Sequence, residues 1–409
     1  MATFEKKELK KKSDNISDWY TDVVLKAELA DYAPVKGCMV IRPYGYAIWE
    51  HVQEIFNGMM KAAGVENAYF PLFIPYSLLE KEKEHIKGFS PELAIVTVGG
   101  GEQLKDPLVV RPTSETIMYT MYAKWIHSWR DLPVLINQWN NVVRWEKRTY
   151  LFLRTTEFLW QEGHTAHEDE KSAIEMARKA LEWYRVLYED YYAMPVYLGT
   201  KSTTEKFAGA KTTYTVEVLM PDGKALQGAT SHNLGQNFSK PFDIHFQNRE
   251  GKEDFVWQTS WGLSTRSLGG LFLTLGDDNG LVLTPKLAPI QVVIVPINSR
   301  VVKKNALKGA KDLYVYAKNL EKELTDEGIR VSIDAKTQLD EMFEESSESP
   351  GRKFNKWEVK GVLLRFEIGD TEVDSKIVTV ARRDTLKKFN IQRKDVVSET
   401  IKLLEEIQK

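Results

Sequence analysis

A chain of 409 residues, with 43% hydrophobic and 28% charged side chains and a formal net charge of −2, is too long for one ordinary domain and too nearly neutral to coat nucleic acid over its whole surface. Its single cysteine, Cys38, excludes an intramolecular disulfide framework and a cysteine-rich zinc site, so no structural zinc is expected, and it fits a reducing compartment. There is no apolar run of about 18 residues to span a membrane, and the charged N-terminal run Glu5 to Lys12 lacks the apolar core of a signal peptide, which makes cytoplasm the expected location.

In chain order, residues 1–17 read as a charged, mobile lead, and a helical pattern then runs through Val23, Val24, Ala27 and Leu29. Tyr32 to Gly45 reads as an apolar strand ended by Pro43 and Gly45. From Tyr46 to Ala63, the residues Ile48, Val52, Ile55, Phe56, Met59 and Met60 recur at helical spacing, and Gly64 closes the helix. Asn67 to Pro75 follows as a strand interrupted by Pro71 and Pro75, which confines it to an edge or an interface. Next come a helix from Leu78 to His85 and a turn at Gly99-Gly100-Gly101. With no Lys-Ser/Thr after it and no GxGxxG spacing, that turn reads as a hairpin and not as a phosphate cradle. The strand Leu108 to Arg111 ends at Pro112, and a helix starts with Thr113 or Ser114 as its cap and Glu115 in its first turn.

The chain is organised around Asn141 to His167. An apolar run, Val142-Val143, leads into Arg144, Trp145 and Glu146, then a basic loop at Lys147-Arg148, then a return from Phe152 to Trp160 that carries Arg154. This reads as a strand, a loop and an antiparallel return strand. Guanidinium groups bind phosphate oxygens bidentately and keep their charge, so arginines at both flanks of the loop suit a nucleotide triphosphate. A long amphipathic helix over 168–193 and a strand at Val196-Tyr197-Leu198 follow. Paired strands then flank the turn Pro221-Asp222-Gly223, and the polar stretch Gln227 to Gly235 leads to a strand at Trp257 to Arg266. From about Ala288 strand–helix alternation begins again. It comprises a buried strand at Ile290 to Ile297, a helix at Lys308 to Asp326, a strand at Arg330 to Ile333 and a polar stretch from Asp340 to Pro350. Strands at Val362 to Ile368 and Ile377 to Val380 and a closing helix at Val396 to Ile407 complete a separate α/β domain with a mixed sheet.

Arg144-Trp145-Glu146 and the run Phe152 to His167 resemble the second signature motif of class II aminoacyl-tRNA synthetases, in the form carried by prolyl-tRNA synthetases. The helix feeding the strand with Pro71 is similar to the first motif, and Trp257 to Arg266 with Gly269-Gly270 is similar to the third. The resemblance implies an α+β fold: a class II catalytic domain over 18–285, with an antiparallel sheet flanked by helices, then an anticodon-binding domain over 286–409. Nothing large is inserted between the second and third motifs, an arrangement similar to the archaeal/eukaryotic type without an inserted editing domain.

In activity the resemblance implies a proline–tRNA ligase that uses ATP with Mg²⁺, charges tRNA(Pro) and forms a homodimer around Pro71. Thr113 and Glu115 would bind the amino group of L-proline. Arg154, Trp160, Glu162, Phe207, His232, Ser260 and Gly262 would complete the proline site. Arg144 would sit on the α-phosphate and Arg266 on the γ-phosphate, as the catalytic pair; Glu146, Arg154, Gln227 and Thr230 would complete the ATP site. Lys353, Phe354, Trp357, Glu358, Lys360, Arg382 and Arg383 would contact tRNA, since basic residues beside aromatics suit single-stranded RNA.

Some positions depart from the family pattern. Tyr150-Leu151 stands where the loop usually carries Arg-Pro, Leu275 replaces a usual histidine, and Gly369-Asp370-Thr371-Glu372 replaces a Gly-Pro-Arg-Asp turn. Enzymes of this type usually continue into a further C-terminal domain, whereas this sequence stops at Lys409, which fits a short natural form, a truncation or a redesign. The alternative reading is a catalytically silent tRNA-binding or dimer-scaffold protein. It would dispense with Thr113, Glu115, Arg144 and Arg266, and all are present.

Overall fold

The computed structural model describes residues 9–80, 93–297, 306–334 and 349–409. Of the expected helix from Leu78 to His85, Tyr76–Glu80 is seen and the remainder lies outside the described residues, as does most of the polar stretch from Asp340.

Helix α1 (Ile16–Lys26) starts where the Asn15 side chain accepts the backbone N–H groups of Ser17 and Asp18, and it buries Trp19, Tyr20, Val23 and Val24. Helix α2 (Pro43–Lys61) opens on proline and buries Ile48, Trp49, Val52, Phe56 and Met60 along one stripe. The lead expected to be mobile through residue 17 is held from Leu9 onward. Leu9 packs on the core, and the Lys12 ammonium donates to the carbonyls of Thr274 (3.3 Å) and Gly276 (2.6 Å). Those are C-terminal carbonyls of a helix, where a cation is favoured.

The first part is built on a seven-stranded sheet. Its strands are β1 (Glu66–Asn67), β2 (Val134–Val143), β3 (Glu157–His167), β4 (Tyr197–Thr200), β5 (Thr212–Leu219), β6 (Ala225–Gly235) and β7 (Trp257–Ser264), in the order β1-β2-β3-β7-β6-β5-β4. Apart from the parallel β1–β2 pair, every pairing is antiparallel. Helix α3 (Glu115–Trp125) follows the segment Pro112-Thr113-Ser114, and helix α4 (Glu170–Val186) covers the rear face of the sheet. Helix α5 (Arg266–Leu275) leaves directly from the end of β7. The expected long helix over 168–193 is α4 continued by one π-helical turn at Leu187–Tyr191. The expected single strand over 67–75 is two short ones, because Phe73–Pro75 pairs instead with the hairpin Ala94–Gly99/Glu102–Val110 in a separate sheet.

The second part has the sheet order β9-β8-β10-β11-β12, from β8 (Val292–Pro296), β9 (Val331–Ile333), β10 (Leu364–Ile368), β11 (Ile377–Arg382) and β12 (Lys388–Gln392). Strands β9, β8 and β10 run parallel and β11 and β12 antiparallel, the mixed sheet expected. Helices α6 (Ala306–Asp326), α7 (Pro350–Val359) and α8 (Val396–Gln408) accompany it.

A tight joint connects the two parts. Arg383 grips Asp277 with both terminal nitrogens (2.8 and 2.5 Å), Lys360 is ion-paired with Glu28, and Tyr44 Oη donates to the Lys360 carbonyl at 3.0 Å. At its centre a Cβ on Gly280 would collide with the Val359 backbone, and one on Gly361 with the Leu281 backbone. Glycine is required at both positions for the backbones to approach this closely.

Candidate active site

Alternation along β3 decides what faces the cavity. Trp160, Glu162 and His164 line it, while Gln161 and Gly163 point to the rear, where Tyr184 Oη donates to Gln161 Oε1 (2.8 Å) and the Trp261 ring lies against Gly163. Register then lays two rows across the sheet. One runs Gln138–Glu162–Gly262–Thr230 and the other His164–Ser260–His232–Thr213. Together with Thr113 and Glu115 from the start of α3 and Arg266 from the start of α5, these rows wall a cavity of about 260 Å³.

One end carries buried carboxylates. Thr113 Oγ1 donates to Glu115 Oε2. Glu162 Oε1 accepts from Ser114 Oγ, Gln138 Nε2 (3.2 Å) and Asn140 Nδ2 (2.6 Å), and its Oε2 meets His164 Nε2 at 3.0 Å. Burial alone would push Glu162 up and His164 down; instead, their mutual hydrogen bond and charge, with Ser114 and Asn140 on Glu162 and Glu115 near His164, hold Glu162 below and His164 above their ordinary values. His232 is the opposite case. Burial, with His164 and Lys201 nearby, lowers it to about 3, so it is neutral at physiological pH. Its Nδ1 lies 2.9 Å from Thr213 Oγ1, which also accepts from the Phe207 N–H (3.0 Å). The Phe207 ring packs 4.8 Å from His232 and closes this end. Ser260 Oγ and Trp160 Nε1 are buried without a protein partner among the described residues. A polar ligand would satisfy them, since such groups are costly to leave unmatched.

Cations line the same cavity. Arg144 Nε donates to the Pro112 carbonyl at 3.1 Å, and its guanidinium lies over the Phe158 and Trp160 rings (5.5 and 5.4 Å), which fixes its plane. Arg266 Nε donates to the Leu153 carbonyl at 2.9 Å, and burial, with Arg154 nearby, lowers its pKa without removing its charge. Lys201 and Gln227, hydrogen-bonded to each other, also line the cavity. Together these groups can hold a polyphosphate beside a small zwitterion.

Family models for the "tRNA synthetase class II core domain (G, H, P, S and T)" and the "Anticodon binding domain" match residues 97–272 and 291–403. The proline–tRNA ligase of Natranaerobius thermophilus is 51% identical over 402 residues, covering 98% of this chain and 80% of that one. The chain belongs to the prolyl-tRNA synthetase family. The relative from Chlorobaculum tepidum is 53% identical over 93% of this chain and 76% of its own. The crystal structure of the prolyl-tRNA synthetase from Cryptosporidium parvum complexed with halofuginone and AMPPNP matches with a TM-score of 0.90 at 46% identity, covering 98% of this chain and 80% of that chain.

For this prolyl-tRNA synthetase family member the sequence expectations divide. Thr113, Glu115, Arg144, Trp160, Glu162, Phe207, Gln227, Thr230, His232, Ser260, Gly262 and Arg266 all meet at the cavity. Glu146 and Arg154 are not among its lining residues; they pair with each other at the rim, Arg154 Nε to Glu146 Oε2 at 2.8 Å. His164, Lys201, Glu205 and Thr213 line the cavity without having been singled out. His164 could have been found from the alternation that selects Glu162, whereas Lys201 and Glu205 look in sequence like any charged loop residue.

The residues expected to touch tRNA make contacts within the chain. Arg383 and Lys360 belong to the joint, and the Glu358 carbonyl accepts from Arg383 Nε (3.0 Å). Trp357 is buried with Nε1 on Asp334 Oδ2 (2.6 Å), and Lys353 Nζ donates to the Asp334 carbonyl (2.9 Å). Arg382 is spanned by Asp384 and Glu406, and Phe354 lies between Arg365 and Lys388. Cation and aromatic in sequence look alike whether they face RNA or a neighbouring domain. The atypical positions also have local reasons. Tyr150 Oη donates to the Ser17 carbonyl (2.8 Å) with its ring on Tyr20, Leu275 packs on the core, and Gly369 N–H is capped by Glu372 Oε2 (2.9 Å). Of the two glycines after the third motif, Gly269 faces Leu153 and Tyr20, and Gly270 meets Leu226 of the sheet.

Proposed function

We propose that the chain is an ATP-dependent, AMP-forming proline–tRNA ligase. The observation that carries this reading is that Glu115 and Thr113 line the same cavity as the cations Arg144 and Arg266. The ammonium of L-proline lies against Glu115 and Thr113, with its ring between Trp160, Phe207 and His232. A proline carboxylate oxygen attacks the α-phosphorus of ATP and pyrophosphate leaves. The terminal ribose hydroxyl of tRNA(Pro) then attacks the prolyl carbonyl carbon and AMP leaves. Neither step needs a protein nucleophile; the residues position the reactants and neutralise phosphate charge. Arg144 serves the α-phosphate, Arg266 the γ-phosphate, and Gln227, Thr230 and Gly262 the remainder of the nucleotide. Mg²⁺ bound with ATP would supply further charge neutralisation at the triphosphate, beside Arg144 and Arg266.

The apolar side chains Tyr69, Phe73, Ile95, Val98 and Trp125 stay exposed around the Pro71 segment, and this face is the one proposed to meet a second copy. The division between catalytic and anticodon-binding domains is placed near 285/286, and the proposed location is the cytoplasm. No helix among the described residues is long and apolar enough to cross a membrane.

The test is proline-dependent ATP–pyrophosphate exchange followed by charging of a tRNA(Pro) transcript. Both are expected, and absence of exchange with any amino acid would leave only a scaffold. Alanine is expected to support measurable exchange, because the lost ring methylenes are worth only about 1–3 kcal/mol. Alanine-dependent exchange at background level refutes that expectation.

A further inference from the structure

Arg111 is a buried cation, 1% exposed, that takes no part in lining the cavity. Its Nε donates to the Asn141 carbonyl (2.8 Å), NH1 to the Phe70 carbonyl (2.7 Å) and NH2 to Asn141 Oδ1 (3.0 Å). Its own N–H donates to the Leu72 carbonyl (3.0 Å), and its carbonyl accepts from the Val143 N–H (3.1 Å). The hydrogen bonds of this buried guanidinium go to neutral oxygens, and the charge that offsets its desolvation is the Glu162 carboxylate inside the site itself. What the arrangement achieves is geometric. One residue is fixed at every polar group to two separate segments, the loop Phe70–Leu72 and the end of β2.

The next residues are Pro112, Thr113, Ser114 and Glu115. Pro112 has a fixed φ and no N–H, and its carbonyl accepts from Arg144 Nε. The segment that carries the amino-group ligands is therefore clamped between two arginines, Arg111 behind it and Arg144 beside it. Burial lowers the Arg111 pKa, but a guanidinium keeps its charge at any working pH, so the clamp is permanent.

We infer that Arg111 is a positioning residue that sets Thr113 and Glu115 for the amino group of the amino acid. It acts on proline recognition more than on ATP, because Arg144 shares the Pro112 carbonyl with this segment but is only one of the cations lining the cavity. The inference rests on the proposed proline–tRNA ligase activity. A merely structural arginine would, on removal, weaken both substrates or the fold alike. A positioning residue shifts the proline KM selectively, because the Thr113–Glu115 geometry relaxes while the cavity keeps Arg266, Lys201 and Gln227.

The experiment uses the full chain and pyrophosphate exchange, with proline and ATP varied in turn. Arg111→Gln is expected to raise the proline KM tenfold or more with the ATP KM within twofold of the parent. Arg111→Lys keeps the charge but loses the fork and is expected to recover only part of that loss. Should Arg111→Gln fail to fold, Asn141→Ala removes the contact at NH2 from outside the cavity and is expected to raise the proline KM by a smaller factor in the same direction. Parallel changes in both KM values, or an unchanged proline KM in folded variants, overturn the inference. No exchange by the parent chain would instead sink the activity on which it rests.

Discussion

Arg266 stands at the first position of α5 with its guanidinium held by the Leu153 carbonyl, so its charge is aimed before any ligand arrives. Replacing it with alanine removes charge stabilisation at the phosphates. The expected loss is about 10²–10³ in kcat/KM for ATP, with the proline KM little changed, read by pyrophosphate exchange. Two histidines give a prediction of another kind. Burial lowers His167 to about 4 and His232 to about 3, against about 6.5 when unfolded. Below that value the unfolded chain takes up protons that the folded one refuses, so stability falls as pH drops. Each contributes a slope of up to about 1.4 kcal/mol per pH unit. His164 is raised and carries its proton in both states there; the stability it adds is full below about 6.5 and is lost as pH rises through its folded value. Denaturant midpoints between about pH 6.5 and 4.5 should show the slope, and His167→Gln should reduce it; a flat profile refutes the assignment. At this scale the sequence was legible where a residue sits in a motif with fixed alternation, as with Glu162 and His232. It was silent on Lys201, and it could not show that Arg154 pairs with Glu146 while standing close to Arg266, because paired and cavity-lining arginines look the same before the chain folds.

Elements were easier to read than residues wherever periodicity decided them. Helix α2, the β5–β6 hairpin and four strands of the mixed sheet follow from spacing and turn residues, whereas β12 was not foreseen. The return strand after the basic loop was expected from Phe152, yet β3 begins only at Glu157. Leu151 and Phe152 are instead buried in a tight turn closed by the reciprocal Tyr150–Arg154 backbone bonds, with Phe152 at φ 60. An apolar run does not reveal whether it lies in a strand or plugs a core. Gly163 shows how closely an element's faces are specified, since a Cβ there would fall within the Trp261 ring. Gly163→Ala is expected to cost about 1–3 kcal/mol by overpacking. It should lower both the melting midpoint and the exchange rate, because β3 carries Trp160, Glu162 and His164 together. Unchanged melting would show that Trp261 can move aside.

For the whole molecule the joint matters most. Asp277 lies just beyond the C-terminus of α5, the helix that presents Arg266, and its carboxylate holds Arg383 of the second domain. Asp277→Asn would leave a buried guanidinium without its anion, at an expected cost of about 1–3 kcal/mol given that Asp277 is partly exposed. Charging of tRNA should fall more than proline-dependent exchange, since exchange uses one domain and charging uses both; equal losses would show that the joint serves only stability.

The interlocking of Gly280 with Val359 and of Gly361 with Leu281 also bears on recombination between relatives. A crossover near 285/286, where the two domains divide by sequence, would set Gly361 and Arg383 against a foreign surface. A crossover ahead of Asp277 keeps Asp277, Gly280 and Leu281 with Arg383, Val359 and Gly361, leaving contacts such as Trp19 to Asp277, Glu28 to Lys360 and Tyr191 to Thr284 to be matched. The unit of modular exchange in this protein therefore begins inside the catalytic domain, some residues before the second fold does.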